Sequence, residues 1–185
     1  MSLLKKTGLK LYKIYQATIR KLKGLKGSDK SIAKGFATGA AISFTPFVGF
    51  HILLSLIITK ITKENSIAAT LGTIVGNPWT FPFIWYLTLH LGHFMLGANT
   101  APIPVDFKEF FKKLFHAIIS LDFNLFISDI WPIFLPMLIG CIPCYIIVWM
   151  LTTKLIEKAL YTTSKKGEQN DTRTRMWYCS SFALR

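Results

Sequence analysis

Charge is missing from long parts of this chain. No Asp, Glu, Lys or Arg occurs from Gly35 to Thr59, from Ser66 to Val105, or from Ile130 to Thr153. Only 17% of the 185 residues are charged, against about 25% in a soluble domain. An uncharged apolar run of roughly 18 residues or more is a candidate membrane span. Three such runs leave too little polar sequence to cover them in a soluble fold. Acidic residues are also scarce, 9 against 22 Lys and Arg, for a net charge of +13.

Other absences exclude activities. Three cysteines (Cys141, Cys144, Cys179) make no disulfide framework. There is no phosphate loop, dinucleotide fingerprint, nucleophile elbow or paired carboxylate, so no catalytic residue, cofactor or metal is expected. Cys141-Ile142-Pro143-Cys144 copies a redox spacing but lies in an apolar segment, where a thiol is inert. His90 and His93 have no carboxylate or thiolate beside them and read as interface residues, not metal ligands. The apolar runs carry no ionisable carboxylate, which speaks against a proton relay. No secretory signal is expected, because the first apolar run follows a long basic segment.

The basic residues that are present flank apolar runs, and lysine dominates them. Anionic lipid is therefore the expected partner, not nucleic acid. Residues 3–23 fit an amphipathic helix. Leu4, Leu11, Tyr15, Thr18 and Leu22 form its stripe, with Lys6, Lys10, Lys13, Arg20 and Lys21 among the cations on the other arc. Such a helix lies in the membrane interface, lysines toward phosphate, or packs on the rest of the chain.

Proline divides the apolar runs. Thr45-Pro46, followed by Gly49, splits residues 35–59 into halves of about 11 to 13 residues, each too short for a hydrocarbon core of about 30 Å. Either one kinked span or a re-entrant hairpin follows. Gly76-Asn77-Pro78 breaks residues 66–97 into a short helix over 66–75 and a spanning helix over about 78–97, with Asn77 as N-cap and Pro78 in the first turn. Asp106 and Glu109 resemble a capping box ahead of an amphipathic helix over 105–120. Ile130–Thr153 is a span made irregular by Pro132, Pro136 and Pro143, and residues 156–185 form a polar tail expected to lack structure. The organisation read is an N-terminal helix (1–30), a membrane domain (31–155) and the tail.

Lys and Arg outnumber acidic residues ten to one in residues 1–34 and seven to three in 154–185, but not in 99–129. The positive-inside rule then places both termini in the cytoplasm and fits an even number of crossings better, with three full crossings, or four with other breaks, as the alternatives. A re-entrant 35–59, an outward 78–97 and a returning 130–153 satisfy it.

Pro46-Phe47-Val48-Gly49, the connector Lys63-Glu64-Asn65 and the block Gly76-Asn77-Pro78-Trp79-Thr80-Phe81-Pro82 together resemble the bacterial membrane family named domain of unknown function 2062. The resemblance covers about residues 30–155. It implies a bacterial inner-membrane location and no particular activity. In some proteins that domain is joined to a glycosyltransferase-like domain, a pointer toward envelope polymers.

The fold class expected is therefore all-α: a multi-pass helical membrane protein with proline-broken or re-entrant helices and a basic amphipathic N-terminal helix. A helix ending within a bilayer presents unpaired backbone groups, tolerated where they line a polar cavity. The expected substrate site is accordingly Thr45, Pro46, Gly49, His51, Asn77, Pro78, Thr80 and Pro82 at the two breaks. Alternatively, the breaks pack against each other and only shape the fold. The function expected is transport or organisation of a lipid-like or anionic envelope molecule, or else a non-catalytic membrane scaffold or assembly factor. Membrane lipid is the expected partner, and a second copy of the chain or an envelope-assembly component is admitted.

Overall fold

The computed structural model describes residues 2–47, 49–97 and 106–183, and these are helical, with no strand among them. The elements are α1 (Ser2–Lys23), α2 (Asp29–Ile42), α3 (His51–Thr62), α4 (Ser66–Gly72) with a 3-10 turn (Thr73–Val75), α5 (Phe81–Met95), α6 (Phe107–Ser120), α7 (Phe123–Leu125) and, after a π turn (Phe126–Ile130), α8 (Trp131–Ala183).

The last helix is the spine. Its N-terminal part carries α5 and its middle carries α2. Glycine sets the α5 contact: a Cβ at Gly92 would overlap the Pro136 carbonyl oxygen, and one at Gly140 would overlap the Thr88 carbonyl oxygen. Helices can approach this closely only where no side chain intervenes. The pairing of 92 with 136 and 88 with 140 makes α5 antiparallel to α8. Trp149 meets Thr38, and Ile156 and Leu160 join Ile19, Leu22 and Ile32 in one buried cluster, so α2 is antiparallel to α8 as well.

α2, α3 and α4 form an up-down-up unit. Gly35 lies against the Asn65 carbonyl and Gly39 against the Ala69 carbonyl, a constant offset along both helices, which holds α2 and α4 parallel. α3 returns between them in sequence, from His51 beside Thr45 to Glu64 beside Thr38. The connector Lys63-Glu64-Asn65 makes that reversal. Lys63 adopts the left-handed conformation (φ 56°) that ends α3. The Asn65 side chain caps α4 through the Ala68 N–H at 2.8 Å and donates to the Lys26 carbonyl at 2.8 Å.

Several expectations need correction. α5 starts at Phe81, not 78, and its 15 residues reach about 22 Å, too short to cross a bilayer core alone. Asn77 still caps, through the Trp79 and Thr80 N–H groups, but it caps the turn that precedes the helix. Pro136 and Pro143 do not break α8, which runs on through the polar tail to Ala183. Among the described residues, one helical stretch, Phe123–Lys165, is long and apolar enough to cross a membrane. In α1, Leu22 of the expected stripe is buried and Thr18 half-buried, but Tyr15 is exposed and Ile19 is buried as well; the side chains of Leu4 and Leu11 lie outside those described. In α6, Asp106 caps Lys108 and Glu109 as expected, but Phe115 is exposed and Lys113 turns toward Asp129 at 2.8 Å.

Candidate functional site

The two proline breaks meet. α2 ends at Ser43, whose hydroxyl donates to the Gly39 carbonyl at 3.2 Å and reaches the Thr73 carbonyl at 3.4 Å. A Cβ on Gly76 would stand 2.7 Å from Ser43 Cβ, so the second break needs a glycine to sit against the first. His51 is buried and stacks on Phe81 (centroids 5.4 Å apart), which stacks in turn on Trp85 (5.1 Å). These three rings bridge the start of α3 to the start of α5.

The polar groups at the breaks are largely occupied by their own turns. Thr45 Oγ1 donates to the Ile42 carbonyl at 2.7 Å, and Thr80 Oγ1 donates to the Val75 carbonyl at 2.7 Å. His51 Nε2 lies 3.4 Å from the Thr45 carbonyl. Pro46 is buried, whereas Pro78 and Pro82 are exposed. Gly49 is exposed at φ 88°, a conformation that suits glycine and lets the chain turn into α3. Val48 lies outside the described residues. The expected site residues therefore share one end of the α2–α3–α4 unit, with their hydrogen bonds directed mainly at the local backbone.

One of them also faces elsewhere. Asn77 lines a cavity of about 320 Å³ together with Ile14, Thr18 and Lys21 of α1, Phe36 of α2, and Leu71, Ile74 and Val75. Its walls are apolar, and Lys21, Thr18 and Asn77 supply a cation, a hydroxyl and an amide. The N-terminal helix is thus one wall of the cavity. Of the expected lipid-contacting cations, Lys21 is on this wall; Lys13 and Arg20 are exposed on another face of α1, and the side chains of Lys6 and Lys10 lie outside those described.

A second polar cluster was not expected. Thr38, buried in the middle of α2, donates to Glu64 Oε2 at 2.9 Å and accepts from Trp149 Nε1 at 3.1 Å. Tyr145, one turn before Trp149 on α8, lies against Thr38 and Glu64. Lys34, one turn before Thr38, holds its ammonium 5.9 Å from the centre of the Trp149 ring. The runs that lack charge in sequence are thus supplied with a carboxylate by the α3–α4 connector. The available signals were a hydroxyl (Thr38) amid small apolar residues, and Tyr145, Trp149 and Thr153 at four-residue spacing in an otherwise apolar helix.

Cys141 and Cys144 are both buried, and Cys141 Sγ donates to the Leu138 carbonyl. His90 Nδ1 lies 2.8 Å from the Tyr86 carbonyl. No group of three or more His, Cys, Asp or Glu placed to hold a metal ion occurs among the described residues.

The family model described as "Uncharacterized protein conserved in bacteria (DUF2062)" matches residues 12–168. No curated protein and no solved structure matches the chain.

Proposed function

We propose, for a chain that belongs to this bacterial DUF2062 family, an integral inner-membrane protein that binds an anionic, lipid-like molecule between α1 and the Asn77 break and organises or moves it. The observation that carries the reading is the cavity itself. Apolar walls suit an acyl chain, while Lys21 Nζ and the Asn77 amide offer the donors that an acidic head group accepts; the Thr18 hydroxyl is given to the Ile14 carbonyl at 3.0 Å.

Membrane placement is supported by the apolar side chains left exposed on three helices. Ile52 and Leu53 of α3, Phe83 and Phe94 of α5, and Ile146 and Leu151 of α8 are each at least half exposed. A soluble monomer rarely presents such faces. Only 28% of the apolar window in Phe123–Lys165 is buried within the protein, which fits lipid contact better than a soluble core. In this reading α8 crosses the bilayer, α4 and α5 in series make a broken second crossing, and α2–α3 is a re-entrant hairpin. Both termini are cytoplasmic, as the lysine distribution requires.

The test is lipid retention by the purified full chain. Anionic phospholipid should co-purify above the level of neutral lipid. Lys21→Gln should weaken it by roughly 1 kcal/mol, one cation at an anionic surface. Ile74→Phe, which fills the cavity, should lower retention further at unchanged folding. Retention that ignores both substitutions sinks the proposal. It would favour the other reading, a non-catalytic scaffold, to which the locally satisfied Thr45 and Thr80 hydroxyls already incline.

A further inference from the structure

The Glu64 cluster lies outside the α1 cavity, and its residues have a different chemistry. Glu64, Lys34, Tyr145 and Trp149 are all half-buried, so they are reachable from outside, while Thr38 and Thr153 are buried beneath them. The cluster carries one carboxylate and one ammonium. Among the described residues these two make no ion pair with each other, Lys34 being over the Trp149 ring and Glu64 bound to Thr38. A cationic and an anionic subsite thus stand side by side without cancelling.

Thr153 adds an independent sign of a missing partner. Its hydroxyl is buried without a hydrogen bond. Thr162 and Thr163 on the same helix each donate to the carbonyl four residues back at 2.8 Å, which is the usual resort of a helical threonine. Thr153 does not. The antiparallel register set by Thr38 and Trp149 places Thr153 level with Lys34, on the cationic side of the cluster.

We propose that Glu64, Tyr145, Lys34 and Thr153 form a binding site for the phosphoethanolamine head group of a zwitterionic membrane lipid. The primary ammonium donates to the Glu64 carboxylate and to the Tyr145 hydroxyl, beside the aromatic face of Trp149. The phosphate accepts from Lys34 Nζ and from the Thr153 hydroxyl. Trp149 and Thr38 are positioning residues, because the Trp149 N–H holds Thr38 and Thr38 holds Glu64. The level of the site matches a head group. Lys26 and Lys30 at the start of α2, Lys60 and Lys63 at the end of α3, and Lys154 midway along α8 bracket it in sequence, where an anionic bilayer face is expected. A quaternary ammonium has no N–H to give Glu64, so choline lipids should be discriminated against.

The inference rests on the membrane reading but not on the α1 cavity. Its test uses the full chain in nanodiscs made from equal parts of phosphatidylethanolamine, phosphatidylcholine and phosphatidylglycerol, followed by native mass spectrometry of retained lipid. Phosphatidylethanolamine should be retained over phosphatidylcholine, and Glu64→Gln, which keeps the acceptor for Thr38, should reduce that preference roughly tenfold, the loss of one charge-assisted hydrogen bond. Lys34→Gln should lower retention of both zwitterionic lipids while leaving the ratio between them. Soluble glycerophosphoethanolamine at equal concentration should not displace the lipid. Equal retention of the two zwitterionic lipids by the unsubstituted protein overturns the proposal, as does an unchanged preference in Glu64→Gln, or displacement by the soluble head group. Should Glu64→Gln not fold, Tyr145→Phe supplies the same reading through the other acceptor. Failure of the chain to enter nanodiscs at all would refute the membrane reading instead, and Ile74→Phe should leave the ethanolamine preference untouched.

Discussion

At the scale of single residues, glycine decides where helices touch. Helix propensity favours Ala over Gly by about 1 kcal/mol, so replacing an interior glycine ordinarily stabilises a helix. Gly39 is a case where packing reverses that preference, because a Cβ there would overlap the Ala69 carbonyl, a backbone atom that cannot rotate away. Gly39→Ala should lower stability by about 1–3 kcal/mol through separation of α2 from α4. Gly8→Ala, at a helical glycine with nothing within 4 Å, should be neutral or stabilising. Thermal unfolding in detergent compares the two, and a Gly39→Ala protein as stable as Gly8→Ala would contradict the packing argument. Composition makes these glycines conspicuous as small residues in helices, but cannot say which of them faces a neighbour's backbone. Glu64 makes the same point for charge. In sequence it is one acid directly after Lys63, and only the reversal at Lys63 carries it to Thr38.

At the scale of elements, α6 is tied to the start of the spine. Lys113 donates to Asp129 Oδ2 at 2.8 Å and lies 3.9 Å from Glu109. The Asp129 carboxyl is held below its ordinary range, first by the Lys113 hydrogen bond and then by that of Ser128. Lys113 is held above its own, chiefly by the Asp129 hydrogen bond. A carboxyl with a lowered folded pKa stabilises fully above its unfolded value of about 3.9 and loses that contribution as pH falls through the folded value. The lysine acts in the opposite sense, and its contribution fades as pH rises beyond about 10.4. The tie is therefore whole across the neutral range. Amides of 107–120 should exchange faster relative to those of α5 when pH drops from 6 to 3, and Asp129→Asn should remove that difference. An Asp129→Asn protein with the same acid response would refute it. Both side chains are partly exposed, so the effect is confined to α6 and should not unfold the molecule. The cap at Asp106 was legible from residue type and spacing. The Lys113 partner was not, since it lies 16 residues away on another element.

At the scale of the whole molecule, the proposed membrane placement turns on how many helices can cross a bilayer. α8 has the length, whereas α2, α3 and α5, at 14, 12 and 15 residues, do not cross singly. In the proposed reading, α4 and α5 stack as one broken crossing, α2–α3 turns back, and the termini share a side. In a variant lacking native cysteines, Gly24→Cys and Thr163→Cys should be labelled from the cytoplasmic side and Ser120→Cys from the opposite side by a membrane-impermeant reagent. Labelling of Gly24→Cys and Thr163→Cys from opposite sides would sink the even count.

What the sequence determined by itself is local. Charge-free runs and helical periodicity made an all-helical chain legible, and Asn77, Asp106, Pro46 and Gly49 marked turns through backbone chemistry that depends on near neighbours alone. The tertiary structure decided what depends on register between distant segments. It kept Pro136 and Pro143 inside an unbroken α8, where Gly92 packs on the Pro136 carbonyl. It moved Asn77 from a break-centred pocket to one shared with Lys21, and it joined Glu64 to Thr38, Tyr145 and Trp149. The physical reason is that a hydrogen bond or a buried carboxylate needs two partners at about 3 Å, and which partners meet is set by helix packing that no local propensity encodes.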